Sequence, residues 1–443
     1  MQRRDILRMM GQGSMGLGLT SLHSALSAAV DDGQDYKALV CIFLFGGNDQ
    51  SNTVVAKGAA DYQAYQSARP TLALPMSSLL TLDGTSLGLH PNLVEIQSLY
   101  NTGKAAVIAN VGPLIQPVSK AQWNKGLPSV PVPKQLFSHS DQATQWQTSI
   151  PDQVARTGWL GRMSDAIGPQ FNSGSTAPFV ISTGVSNIVT VGNQTQPFQV
   201  SVNGAAKTRM TSYLFGAAQA NTLASQVIGA GGDNVLMRQW SKVGARALQT
   251  SDQINTAMNS TSIGTTFPTT NLGQQLQTIA KLIAARQRLG QRRQVFFASM
   301  IGFDQHDNLL VDHAKKLKEL SQAVKAFYDS TVALGISDRV VTFTASDFGR
   351  ALQSNGKGSD HGWGGHHFAV GGGVKGGRIV GTFPKVALGG PEDGNQGRLI
   401  PQLALDQYAA TLAGWFGADA SGLATALPNL QNFSTRDLGF LTA

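Results

Sequence analysis

The sequence predicts an α/β fold: a doubly wound, mostly parallel sheet with helices on both faces. Five short runs are predominantly apolar rather than alternating, as expected of strands buried on both faces. Between them lie stretches with apolar residues at helical spacing. Strands alternating with helices close into a parallel sheet through right-handed crossovers. Polar clusters rich in aspartate and histidine directly follow three of the runs, where sheets of this kind bind their ligands.

Residues 1–29 come first. Arg3-Arg4 and Arg8 precede a weakly apolar, glycine-rich stretch from Gly11 to Leu26, and the small residues Ser27-Ala28-Ala29 stand before Asp31-Asp32. That is the order of a signal peptide. The paired arginines, followed by an aliphatic residue and a leucine, resemble a twin-arginine (Tat) export signal. The expectation is engagement of the Tat export machinery, cleavage near Val30, and a periplasmic or secreted mature chain over 30–443.

The apolar runs are Leu39–Phe45, Ala105–Val111, Pro178–Ser182, Gln294–Met300 and Val340–Ala345. Helical spacing marks Leu93-Val94-Ile96-Leu99-Tyr100, Leu276-Ile279-Leu282-Ile283 and Leu317-Leu320-Val324-Phe327. Residues 185–272 differ: small and uncharged polar residues dominate, as expected of an inserted helical cap or a hairpin-plus-helix module. The one cysteine, Cys41, excludes a disulfide scaffold or thiolate zinc site and is expected in the core. No apolar run reaches the roughly 18 residues of a membrane span, so the mature protein is expected to have none.

The chain carries a net charge of +8 with only 14% charged residues. Residues 201–300 hold ten Lys/Arg against two Asp, so the basicity is concentrated in the insert and the helix after it. No basic stripe with interleaved aromatics and no nucleic-acid motif accompanies it, so nucleic acid is not expected as a partner. An anionic small molecule or polymer is.

The first run leads into Gly46-Gly47-Asn48-Asp49-Gln50-Ser51-Asn52, the fourth into Gly302-Phe303-Asp304-Gln305-His306-Asp307. The fifth leads into Ser346-Asp347-Phe348-Gly349-Arg350, then Ser359-Asp360-His361-Gly362 and His366-His367. Several carboxylates meeting at one sheet edge are costly unless paired or bound to a cation. Asp304 with His306, and Asp360 with His361, are the strongest candidates for a divalent metal. With no thiolate, the set suits zinc, manganese, magnesium or calcium. Asp49 could instead cap a helix or close an Asx turn. His90 reads as structural at a helix start, His313 as solvated, and His139 with Asp141, after a proline-rich loop, is open between structure and function. Fifteen of the 42 residues from Gly356 to Gly397 are glycine, which permits close backbone approach around Asp360-His361.

At these motifs, Leu44–Asp49, Gly302–Asp307, Ser346–Arg350 and Ser359–Gly362, the chain resembles the domain-of-unknown-function family 1501. The resemblance covers nearly the whole mature chain, including Asp406–Leu412 and Trp415-Phe416. Members of that family are Tat-exported, sulfatase-like proteins of the alkaline phosphatase superfamily. The resemblance implies a sheet of the alkaline phosphatase-like type, with two metal ions clamping a phosphate or sulfate ester while a Ser, Thr or formylglycine attacks. It implies Asp49 as the first metal aspartate, Asp304 and His306 as a pair, Asp347 as the second aspartate, and His361 as the last ligand with His366 or His367 as a substitute. Phe348 stands where a paired histidine would be, so one ion or an asymmetric site is as well supported as two. No Cys-x-Pro-x-Arg is present, which excludes formylglycine. Ser119, at a helix start beside Lys120, is the expected nucleophile or a plain N-cap, with Ser51 and Thr53 as alternatives. Arg350 or Arg162 is expected to neutralise the anion. The implied function is an exported metal-dependent ester hydrolase. The alternative is a catalytically degenerate relative serving as a periplasmic or cell-surface binding or assembly protein.

Overall fold

The five apolar runs all enter one central sheet. The computed structural model describes residues 35–123, 128–206, 226, 228, 230 and 234–442; the leader 1–29 lies outside them. Strand β1 (Lys37–Leu44) is followed by helices α1 (Ala59–Ala68) and α2 (Val94–Asn101) and strand β2 (Ala105–Gly112). Helices α3 (His139–Thr148) and α4 (Trp159–Phe171) lead to β3 (Val180–Ser182), β4 (Phe198–Ser201) and β5 (Gly204–Ala205). Next come α5 (Val235–Asn259), α6 (Asn271–Ala284), β6 (Arg293–Met300), α7 (Leu309–Ala333) and β7 (Val340–Ser346). Strands β8 (Arg350–Ser354), β9 (Ser359–His361), β10 (Gly365–Val370) and β11 (Arg378–Val380) precede α8 (Leu405–Phe416).

The sheet order is β11-β2-β10-β7-β1-β6-β3-β4-β5, with Leu403–Ala404 pairing beside β2. Pairing is parallel from β7 through β1, β6 and β3 to β4, whereas β10 runs antiparallel to both of its neighbours. This is the expected mostly parallel α/β sheet. Leu39, Phe43, Val295, Phe297, Val341 and Phe343 pack with Trp159, Met163, Leu412 and Phe416 in one core cluster. Burying each such large side chain contributes about 1.5–3 kcal/mol. Cys41, free and buried, sits in that cluster, and burial pushes its thiol up.

Register positions the site. Leu44 pairs with Ser346 on one side and Met300 on the other, so β1, β7 and β6 end level. Their exit loops, Gly46–Asp49, Asp347–Gly349 and Gly302–Asp304, therefore leave the sheet side by side. The glycine-rich stretch expected to wrap the site also builds β9, β10 and β11. The place of β10 inside the sheet was not legible, because His366 and His367 interrupt its apolar signature. In the stretch expected to be a cap, β4 and β5 extend the sheet edge, while α5 contacts β5 and α6. The apolar triplet Tyr213-Leu214-Phe215 lies outside the described residues. Among those described, no helix is long and apolar enough to cross a membrane.

Candidate metal centre

Two glycines let the exit loops meet. Gly46 and Gly47 adopt φ of +113° and +83°, in the region that favours glycine. A Cβ on Gly46 would collide with the Asp304 backbone, and one on Gly47 with the Phe348 ring. The Gly46 amide donates to Asp347 Oδ2 at 3.0 Å. Arg350, fully buried, donates to Gly46 O (2.9 Å), Phe303 O (3.3 Å), Ser359 O and Asp304 Oδ1 (3.1 Å). One guanidinium thus ties four segments together. It acts as a strut, not as the open fork for an anion that the sequence suggested. Arg162 likewise spends its donors on Thr148 O, Thr157 O and Ala426 O.

Three imidazoles converge on one carboxylate oxygen. Asp304 Oδ1 lies 3.0 Å from His306 Nε2, 3.2 Å from His139 Nε2 and 3.4 Å from His361 Nε2. The ligating atoms of His139, Asp304 and His361 all fall within 4.8 Å of one another, a spacing that one ion can span. Burial alone would raise the Asp304 carboxyl, but the Arg350 hydrogen bond and the His139 charge outweigh it and hold it below its usual value.

The far sides of the rings fix their tautomers. His361 Nδ1 is 2.7 Å from Phe137 O; a carbonyl only accepts, so this nitrogen carries the proton. Burial, aided by the His139 and Arg350 charges and opposed by the Phe137 hydrogen bond, lowers His361 below its ordinary value, which favours the neutral ring with a bare Nε2. That lone pair faces Asp304 Oδ1 and lies 2.8 Å from His306 Nε2. Electron pairs in such proximity repel unless a cation or proton lies between them. His139 is held from both sides, with Nδ1 2.8 Å from Asp347 Oδ2 and Nε2 3.2 Å from Asp304 Oδ1. The Asp347 hydrogen bond raises His139 above its ordinary value. Imidazoles backed by a carboxylate or carbonyl, with the other nitrogen presented forward, are the usual support of a metal site. The residues therefore fit a divalent ion. Asp360 Oδ1, 3.4 Å from His306 Nδ1, extends the set.

The remaining candidates lie elsewhere. Asp49, expected as a ligand, is fully buried in an ion pair with Arg69 Nη1 at 2.7 Å. Burial would raise its carboxyl, and the Arg69 charge outweighs this and lowers it. Arg69 also donates to Asn52 Oδ1, Ala351 O and Leu352 O, while Asp49 Oδ1 is buried without a hydrogen-bond partner. His313, expected to be solvated, is instead buried with Nε2 2.9 Å from Asn48 Oδ1. It faces inward because α7 packs on α2 and α6. Ser119 bonds to Gln122, and its cavity of ≈ 500 Å³ shares no lining residue with the ≈ 370 Å³ cavity beside Asp304. Ser51 and Thr53 are buried in the single turn Gln50–Thr53. His366 and His367 are enclosed in the sheet, and burial depresses each to about 3. Phe348, where a histidine would have been a ligand, packs its ring 4.7 Å from His361 and 4.8 Å from His139. Arg398 was not singled out from the sequence. Its Nε donates to His361 O at 2.7 Å and its guanidinium lies over the Phe137 ring.

Fold and site together define an α/β protein with a histidine–carboxylate cluster at the edge where its parallel strands end. The chain belongs to the family described as "Protein of unknown function (DUF1501)", whose profile matches residues 36–397. No curated protein matches it. Among solved structures it is similar to the PsFucS1 sulfatase from Pseudoalteromonas sp., with 9% identity over 92% of this chain and 74% of that one, TM-score 0.37. It is similar to Ps i-CgsB at 9% identity over 90% and 75%, TM-score 0.37. The lipoteichoic acid synthase LtaP from Listeria monocytogenes gives 8% over 94% and 82%, TM-score 0.36.

Proposed function

We propose that this chain is an exported, metal-dependent hydrolase of phosphate or sulfate esters that holds one divalent ion among His139, Asp304 and His361, with His306 beside them. The observation that carries the reading is the 2.7 Å contact of His361 Nδ1 with the Phe137 carbonyl, which leaves Nε2 facing the Asp304 carboxylate at 3.4 Å. Nitrogen donors with one carboxylate suit zinc or manganese better than magnesium or calcium, which prefer all-oxygen shells. One ion is favoured over two because Arg69 already neutralises Asp49. When bound, the ion would polarise an ester oxygen and lower the pKa of a water toward ~7.

The chain's own groups supply the rest. Among the described residues no Ser or Thr hydroxyl is hydrogen-bonded to the four ligands, which favours water over a serine nucleophile. Asp360, half exposed beside His306, is placed to take a proton. The outer nitrogens of Arg398 make no hydrogen bond among the described residues, leaving a fork suited to a tetrahedral oxyanion. The cavity beside Asp304 carries Asp307, Asp312 and Glu319 as well as Lys315 and Lys316, so the anion is received on the Arg398 side and not in this cavity. The Arg3-Arg4 leader supports Tat export to a periplasmic or secreted location.

A second reading, a binding or assembly protein that keeps the metal without turnover, is favoured by Arg350 being closed off as a strut. Metal analysis of the purified protein beside Asp304→Ala and His361→Ala, followed by phosphomonoester, phosphodiester and sulfate ester assays with Arg398→Ala, separates the two. Stoichiometric metal lost in both ligand variants, and turnover lowered by Arg398→Ala, support the hydrolase. Native protein without metal sinks both readings, and metal without turnover on any ester leaves the second.

A further inference from the structure

The buried side chains of helix α5 lie mostly in its second half. Residues seven apart on a helix share a face. Along one such line, Leu236 and Val243 are 81% and 57% exposed, whereas Thr250 and Ala257 are buried. Beside it, Trp240 is 56% exposed and Ile254, fourteen residues on, is fully buried. The stripe that seats the second half of α5 on the protein thus runs on into solvent over the first half. Val235 and Met237 widen it at the helix start. Asn234 caps that start, its side chain accepting from the Met237 amide at 2.8 Å. The exposed stripe from Val235 to Val243, beside the buried Ser241 that bonds Ile228 O, is about 13 Å long at 1.5 Å per residue.

Charge accompanies the stripe. Arg238, Lys242 and Arg246 recur at every fourth position, all exposed, and no acidic residue occurs between Asn234 and Ser251. Exposed leucine, tryptophan and valine on one face, with arginine and lysine round the other, are the composition of a helix that lies in a lipid interface. A two-fold pairing with a second copy would bring Lys242 and Arg246 of both chains to one contact, with no carboxylate between Asn234 and Ser251 to offset them. We propose that the first half of α5 docks the protein on an anionic lipid surface, with Leu236, Trp240 and Val243 entering the headgroup boundary and Arg238, Lys242 and Arg246 meeting lipid phosphates. The docking does not depend on the metal centre.

The test is flotation of the full chain with phosphatidylglycerol–phosphatidylethanolamine vesicles and, separately, phosphatidylcholine vesicles, at low and at 0.5 M salt. The wild type is expected to float with the anionic vesicles and to be released by salt. Leu236→Glu with Trp240→Glu should weaken binding at least tenfold. Neutralising Arg238, Lys242 and Arg246 to glutamine should cost about fivefold per charge. Because the leader is present in every variant, differences between variants report on α5 alone. Retained metal content and an unchanged melting temperature show that the variants are folded; if the double variant melts early, Val243→Ser replaces it. Equal flotation with both vesicle types, or a folded variant that binds like the wild type, overturns the proposal. So does a concentration-dependent dimer, without flotation, that the same substitutions abolish; it would assign the face to a second copy.

Discussion

Asp347 and His139 lie 208 residues apart in sequence and meet at 2.8 Å, carboxylate oxygen to Nδ1. The same carboxylate oxygen accepts the Gly46 amide. Asp347 therefore orients a ligand rather than serving as one through that oxygen. Replacing Asp347 by asparagine should weaken metal affinity about 10–100-fold, the usual effect of losing such a supporting partner. Chelator competition reads the change directly, and an unaltered affinity would remove Asp347 from the site.

Gly46→Ala forces a side chain into left-handed backbone and against the Asp304 main chain. Strain and overpacking together should cost about 2–4 kcal/mol. Thermal unfolding measures that loss. Metal content should fall with it, since the only relief is to move Asp304.

The Asp49–Arg69 pair is fully buried, so breaking one side leaves an uncompensated charge. Arg69→Met should destabilise the protein by about 3–5 kcal/mol in urea unfolding. Asp49 has a folded pKa below its unfolded value of ~3.9. Its contribution is therefore complete above that unfolded value and is lost as the pH falls through the folded one. A double variant, Asp49→Asn with Arg69→Met, should show a flatter acid limb than the wild type.

Asp406, buried at the start of α8, behaves in the opposite way. Burial pushes its carboxyl up to about 7. The folded state then holds a proton that the unfolded chain has released, so stability declines as the pH rises from ~4 to ~7 and levels off above. The span corresponds to roughly 4 kcal/mol. Asp406→Asn should flatten the profile over that interval in urea titrations, and a slope unchanged by the substitution would assign it to another group.

Ser119→Ala should leave ester turnover unchanged, because Ser119 bonds to Gln122 and lines a separate cavity. Loss of turnover with metal retained would restore it as the nucleophile.

Much of the fold could be read from the sequence because it rests on short-range signals. A strand buried on both faces is mostly apolar with no alternation, and the centres of β1, β2, β6 and β7 read that way despite Asn110, Ser299, Thr342 and Thr344. The level ends of β1, β6 and β7 made the clusters after them neighbours, which is why Asp304, His306, Asp360 and His361 could be grouped. His139 could not be assigned because it reaches the cluster through a loop in which Gln135 and Phe137 take φ of 50° and 72°. Side chains other than glycine rarely adopt such angles, and nothing in the local sequence announces them. Arg69 was invisible for a different reason. An arginine at the end of a short helix looks solvated until the chain returns to cover it, and here it is Ala351 and Leu352 that do so.

The Asp49–Arg69 pair also bears on the order of assembly. A sheet edge whose carboxylates all awaited ions would stay self-repelling until a supply arrived, and folding would be hostage to metal availability. Here one carboxylate brings its own permanent counter-ion, and Arg350 ties the neighbouring loops through backbone carbonyls that need no ion. On the proposed reading, the edge can close first and take up its ion afterwards, in whichever compartment holds the metal.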